Sequence, residues 1–197
     1  VDALIGFVAN RAHHANIGCD TPGSMPVSST LAEEGVIIAP TLLLRGEQLQ
    51  RTEIPLADLQ GEQLSGDFAA QAGANRVGVK RLQALVANMG VANYQSGILE
   101  LNAYADRITL AVIAQLQPGE YHFEDYLDDD GCGSESIKLA LCLRLQADSV
   151  ELDLRACASQ VQGNVNCPES VAAAAAYYCF RCLMPEEAPA CSGLFRR

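Results

Sequence analysis

The sequence predicts an α+β fold, and three observations carry that expectation. Two long apolar stripes of helical period lie between residues 67 and 116, the period switches to two from Ile137, and an Ala-rich helical segment precedes Pro185. The architecture expected is mixed or antiparallel strands with a long helical hairpin and a C-terminal Ala-rich helix, forming part of a larger domain.

Residues 4–9 are apolar nearly throughout and few, which suits a strand buried on both faces. They deliver His13 and His14 to the turn-rich loop CDTPGSMP. In EEGVIIAPTLLLRGEQL, Gly35, Pro40 and Gly46 bound two further short apolar runs that also read as strands. From residue 67 to 89, Phe68, Ala72, Val79, Leu82, Val86 and Met89 make one helical stripe, interrupted by Asn75 and ended by Gly90. Ile98, Leu101, Ala105, Ile108, Val112 and Leu116 make a second, and the short turn between them suggests an antiparallel hairpin of helices.

The period then becomes two. Ile137, Leu139, Leu141, Leu143 and Leu145 alternate with mixed partners, and Val150, Leu152 and Leu154 do so after an Ala147-Asp148-Ser149 turn, giving a β-hairpin with one buried face. Tyr121 and Phe123 add a shorter strand. In NCPESVAAAAAYYCFRCLMP, Asn166 is a good helix N-cap, Pro168 fits the first turn, Pro185 stops the helix, and the Ala run implies close packing. With no internal repeat or low-complexity linker, one α+β unit over residues 1–197 is expected.

At 197 residues and 49% apolar content the chain can bury a sizeable core. Its net charge of -11, from 24 acidic and 13 basic side chains, argues against nucleic acid or an anionic membrane as partner, because both repel it. No apolar run reaches the length of about eighteen residues that spans a bilayer. The eight cysteines fall mostly in apolar periodic segments, so reduced, buried thiols in a cytoplasmic protein are the expectation. Val1 is not a start methionine and CSGLFRR closes no element, which reads as a piece of a longer protein.

Two of the three histidines, His13 and His14, stand side by side where the first apolar run breaks. Neutral imidazole ligates zinc, manganese or iron, and a strand end holds a ligand firmly while leaving an open coordination position. Adjacent residues on an extended chain point to opposite sides, so one of the pair would face a metal and the other support it. On local sequence alone, a polar turn whose imidazoles bond loop carbonyls is the simpler reading. Asp128, Asp129 and Asp130 before Gly131 fail as a calcium loop, because Gly131 in sixth place puts Tyr126 first and Ile137 twelfth. A solvated acidic turn fits better. Cys179-x-x-Cys182 lacks a second pair and lies late in its helix, so packing is expected there. GANRVGVKRL follows no strand and lacks the Lys-Ser/Thr of a phosphate loop.

Taken together and in order, GFVANRAHHANIG, PGSMP with EEGVIIAP, SGDFAAQAGANRVGVKRL, PGEYHFEDYLDDDG and QGNVNCPESVAAAAAYYCFRCLMP resemble the central part of the hydantoinase B / 5-oxoprolinase family. The resemblance implies ATP-dependent hydrolysis of a cyclic amide such as 5-oxoproline or a hydantoin, performed with an A-like partner subunit or domain that binds ATP, in an oligomer. Related members carboxylate ketones, so a carboxylase subunit is one alternative, and a non-catalytic interaction domain is another. It further implies that His13 is a ligand of a divalent metal, manganese or zinc, together with an upstream His-x-x-Asp motif absent from this sequence, and that His14 has the catalytic role of tuning or orienting the site. The chain departs from the family pattern at Asn16, usually Asp, and at ACAS, residues 156–159, usually a Gly-Thr-Ser-type turn.

Overall fold

The computed structural model describes residues 4–14, 16–21, 23, 26–42, 44–45, 48–49 and 62–197; Pro22, Ser24, Met25 and Gly46, expected in loops, lie outside them. In chain order its elements are β1 (Leu44–Arg45), β2 (Gln48–Leu49), α1 (Glu62–Met89), α2 (Val91–Ile113), β3 (Gly119–Asp129), β4 (Glu135–Leu145), β5 (Val150–Asp153), α3 (Glu169–Leu183) and a 3-10 turn, Ser192–Phe195. Long helices and an antiparallel sheet in one chain are the α+β class expected. They fall into two compact units, Val1–Leu85 and Val86–Arg197.

In the first unit, residues 4–9 form no ladder, contrary to the expected buried strand. An apolar run becomes a strand only where another strand takes its N–H and C=O groups. Leu4 and Phe7 stay 73% and 85% exposed. The run instead follows α1: a Val8 methyl fills the space that a Cβ on Gly78 would occupy. Asn10 Nδ2 donates to the Gln71 carbonyl at 2.9 Å and to Asn75 Oδ1 at 2.7 Å. Asn75, which breaks the apolar stripe, therefore has a specific task. Residues 36–39 are also not a strand; the Val36 N–H donates to the Ile17 carbonyl at 2.8 Å. Of the next run, Leu44–Arg45 pairs with Gln48–Leu49 in a two-residue ladder.

Gly90 separates the two long helices by a single residue. Its N–H donates to the Val86 carbonyl at 2.8 Å, its φ is 77°, and its own carbonyl accepts from Tyr94 N–H at 3.0 Å. One glycine thus closes α1 and opens α2, using the left-handed conformation that a side chain would resist.

The sheet has the order β3-β4-β5, all antiparallel. The β4–β5 hairpin is the one that the alternating leucines predict, with Gln146 N–H bonded to the Ser149 carbonyl across the turn. β3 is longer than expected and pairs with β4 from Gly119↔Leu145 to Asp129↔Glu135.

The second unit packs its core where α2 meets the C-terminal segment. Ala105, Met184, Ala188 and Leu194 are buried together, with Ile108, Val112, Phe180 and Phe195 around them. Thr109 Oγ1 donates to the Leu194 carbonyl at 2.9 Å, and Arg197 clamps Asp106 with two bonds of 2.7 and 2.8 Å.

Several helix expectations change. Pro168, not Asn166, caps α3. Asn166 instead closes the 161–166 loop, accepting from Val161 N–H and donating to the Val161 and Gly163 carbonyls. No α3 residue is buried, so the Ala run does not sit in close packing; its Tyr177 stacks on Phe195 with ring centroids 4.3 Å apart. Nor are the cysteines buried. All eight are free thiols, and Cys179 and Cys182 are exposed, because residues three apart share one helix face and this face is turned to the surface. No described helix is long and apolar enough to cross a membrane.

Candidate functional site

The histidine turn is held by the two contacts just upstream of it. With Val8 seated on Gly78 and Asn10 bonded to Gln71 and Asn75, the chain runs beside α1 until His14 reaches the helix's first described side chains. There the His14 ring lies 4.9 Å from the Phe68 ring, tilted by 49°. Its Nδ1 is 3.7 Å from Asp67 Oδ2, too far for a hydrogen bond.

The His14 side chain is 16% exposed, and its Nδ1 is buried without a hydrogen-bond partner among the described residues. A buried polar atom in that position forfeits about 1–3 kcal/mol relative to a bonded one. The Asp67 carboxylate lies 3.7 Å away, so a small movement of either side chain would bring the two within hydrogen-bond distance.

His13 does what its neighbour does not. It is exposed and makes no hydrogen bond or ion pair among the described residues, so both of its nitrogens are available to a ligand. The adjacent imidazoles therefore divide as extended-chain geometry predicts, one into the unit and one out of it. Asn16, where the resemblance leads one to expect Asp, spends its Oδ1 on the Gly18 N–H at 2.9 Å, which tightens the turn. Asp67 is the neighbour of His14 that the sequence does not indicate. The Gly-Asp pair of SGDF was its only signal, and nothing local links it to a histidine 53 positions earlier.

The second unit holds the acidic turn. Asp130 is buried rather than solvated, whereas Asp128 and Asp129 are exposed. Its carboxylate accepts from the N–H groups of Gly163, Cys132 and Ser134 at 3.0, 2.8 and 2.9 Å, which hold its pKa far below the ordinary carboxylate range. The turn is a structural pin, and the expectation of a solvated loop is corrected. Nearby, the apolar side of β3 and β4, with Phe123, Leu139 and Leu141, and the loop carrying Cys157, Ala158 and Ser159 line a cavity of about 610 Å³. The altered turn at residues 156–159 thus borders this cavity.

The family model for hydantoinase B/oxoprolinase matches residues 1–197, the whole chain. The chain belongs to this family. It is 31% identical over 216 residues to 5-oxoprolinase 1 of Arabidopsis thaliana, covering 94% of this chain and 17% of the plant protein. It is 27% identical over 153 residues to the caprolactamase subunit beta of Pseudomonas jessenii, covering 76% of this chain and 26% of that subunit. The crystal structure of the ATP-dependent caprolactamase from Pseudomonas jessenii superposes with a TM-score of 0.76 at 24% identity, over 91% of this chain and 32% of that one. The chain therefore spans a minor part of each of these proteins, and the caprolactamase likeness establishes a shared fold.

Proposed function

We propose that this chain is the central part of a hydantoinase B/oxoprolinase-like domain in an ATP-dependent hydrolase of cyclic amides of the 5-oxoproline or hydantoin type. Support comes from membership of the family and from relatives named 5-oxoprolinase and ATP-dependent caprolactamase. The relative named as a beta subunit supports work beside a second subunit, here an A-like partner that binds ATP, in an oligomeric cytoplasmic enzyme.

The observation that carries the reading is the histidine turn anchored on α1. His14 Nδ1 is buried and unbonded beside Asp67, and His13 presents both nitrogens outward. An exposed imidazole with both nitrogens available suits zinc or manganese as one ligand, so His13 fits the divalent metal that the family implies. His13 would be the ligand that this turn contributes, with the remaining ligands supplied from elsewhere in the assembled enzyme. The metal, when bound, would activate water or polarise the amide carbonyl.

His14 and Asp67 do the rest of the local chemistry. Phe68 packs against the His14 ring, and a small movement of Asp67 would let its carboxylate accept a hydrogen bond from Nδ1 and so orient the imidazole. This is a positioning pair for catalysis at His13. In the complete enzyme, His13→Ala is expected to lose one equivalent of bound divalent metal and nearly all turnover, whereas Cys179→Ser on the exposed side of α3 keeps both. Unchanged metal content and turnover in His13→Ala would remove that histidine from the site.

A further inference from the structure

The third histidine lies in the other unit, on the β3–β4 ladder, and it is not alone there. His122 faces Cys142 in register, and Glu120, two residues earlier on β3, projects to the same face. His122 Nε2 is 2.9 Å from Glu120 Oε1. One donor atom from each of Glu120, His122 and Cys142 lies within 4.8 Å of the other two.

The surroundings suit a cation. Arg144 Nε bonds the second carboxylate oxygen, Oε2 of Glu120, at 3.1 Å, which leaves Oε1 turned to His122. Across β4, Glu151 bonds Arg144 Nη1 at 2.7 Å, and Asp153, which faces Cys142 in register, pairs with Arg155 and lies 3.6 Å from Arg144 Nη2. Lys138 and Glu124 neutralise one another further along. Three carboxylates thus face two guanidinium groups, and a divalent ion would join a locally acidic face. Arg144 acts on Glu120 as an orienting hydrogen-bond donor, the usual support for a ligating carboxylate.

We propose that Glu120, His122 and Cys142 bind a zinc-type divalent cation, with the fourth coordination position open to water. A sulfur, an imidazole nitrogen and a single carboxylate oxygen discriminate against magnesium and calcium, which require mostly oxygen ligands. Two ladder-paired strands hold the three groups without any loop having to order. On binding, the neutral imidazole carries its single proton on Nδ1, so the Nε2 lone pair and Glu120 Oε1 both turn to the cation in place of the contact between them. The Cys142 thiol gives its proton to solvent and bonds the metal as thiolate. The site shares no residue with the histidine turn and stands whether or not His13 is a ligand.

Cobalt(II) titration of the full chain tests this, because thiolate ligation gives an intense charge-transfer absorption. The absorption is expected to saturate near one equivalent, to be displaced by zinc and to ignore excess magnesium. Cys142→Ser abolishes it; His122→Ala and Glu120→Gln, both at exposed side chains, weaken cobalt affinity by about tenfold or more, more than 1 kcal/mol. His13→Ala leaves it unchanged. Absence of the absorption, or its survival in Cys142→Ser at wild-type affinity, overturns the proposal, as would dependence on His13 alone.

Discussion

Asp130 is 3% exposed and yet ionised, because its two oxygens receive N–H groups from its own turn and from Gly163, 33 residues away. Such bonds favour the charged form more strongly than burial opposes it. The folded-state pKa is therefore depressed, and the stability that Asp130 adds is complete above the unfolded value of about 3.9. It is lost as pH falls below that value towards the depressed one. Asp130→Asn replaces one acceptor oxygen with a donor facing backbone N–H groups. The variant is expected to melt several degrees lower at neutral pH and to lose the Asp130 part of the acid limb in a pH series of thermal melts. An identical acid limb would show that Asp130 is not the linked group. Ser136, at φ 51°, is the one non-glycine residue with positive φ among those described. Relief of that strain outweighs the extra chain entropy of glycine, so Ser136→Gly should stabilise the protein by up to about 1 kcal/mol in denaturant unfolding.

Elements whose partners are close in sequence were legible, and those that depend on distant partners were not. The β4–β5 hairpin was predictable because alternation and turn lie within 20 residues, and both long helices because their stripes are self-contained. Residues 4–9 have a strand's composition, but a strand also needs a neighbour, and periodicity carries no information about one. The same limit hid Asp67 from His14 and Gly163 from Asp130. At the C-terminal end, Gly193 packs so closely on α2 that a Cβ there would overlap the Asn102 carbonyl. Thr109 supplies the hydrogen bond that fixes this docking. Thr109→Val preserves shape but leaves the buried Leu194 carbonyl unpaired, which should lower the free energy of unfolding by about 1–3 kcal/mol. Gly193→Ala should release the 3-10 turn, seen as faster amide exchange there, while exchange in β3 and β4 is unchanged.

Among the described residues, apolar stripes exceed the core that receives them. Of the first stripe only Val86 is buried while Val79 and Met89 are exposed, and on α2 the same is true of Ile98 and Leu101 ahead of the buried Ala105. Leu4, Phe7, Val27 and Ile37 are exposed as well. Patches of this kind mark surfaces made to be covered. Thiol chemistry gives one check on the chain: unfolded, unreduced protein should titrate all eight cysteines, and a much smaller number would mean disulfides that its geometry does not contain. Activity gives a second. A catalytic zinc site generally uses about three protein ligands, whereas the histidine turn offers His13 and a positioning pair. The chain taken alone is therefore expected to bind weakly at that turn, to self-associate through its uncovered stripes, and not to turn over 5-oxoproline or hydantoin with ATP and manganese or zinc. Light scattering during such an assay measures both outcomes at once. Substrate turnover by the isolated chain would require a complete catalytic centre within these residues, and the division of labour proposed for His13, His14 and Asp67 would then be wrong.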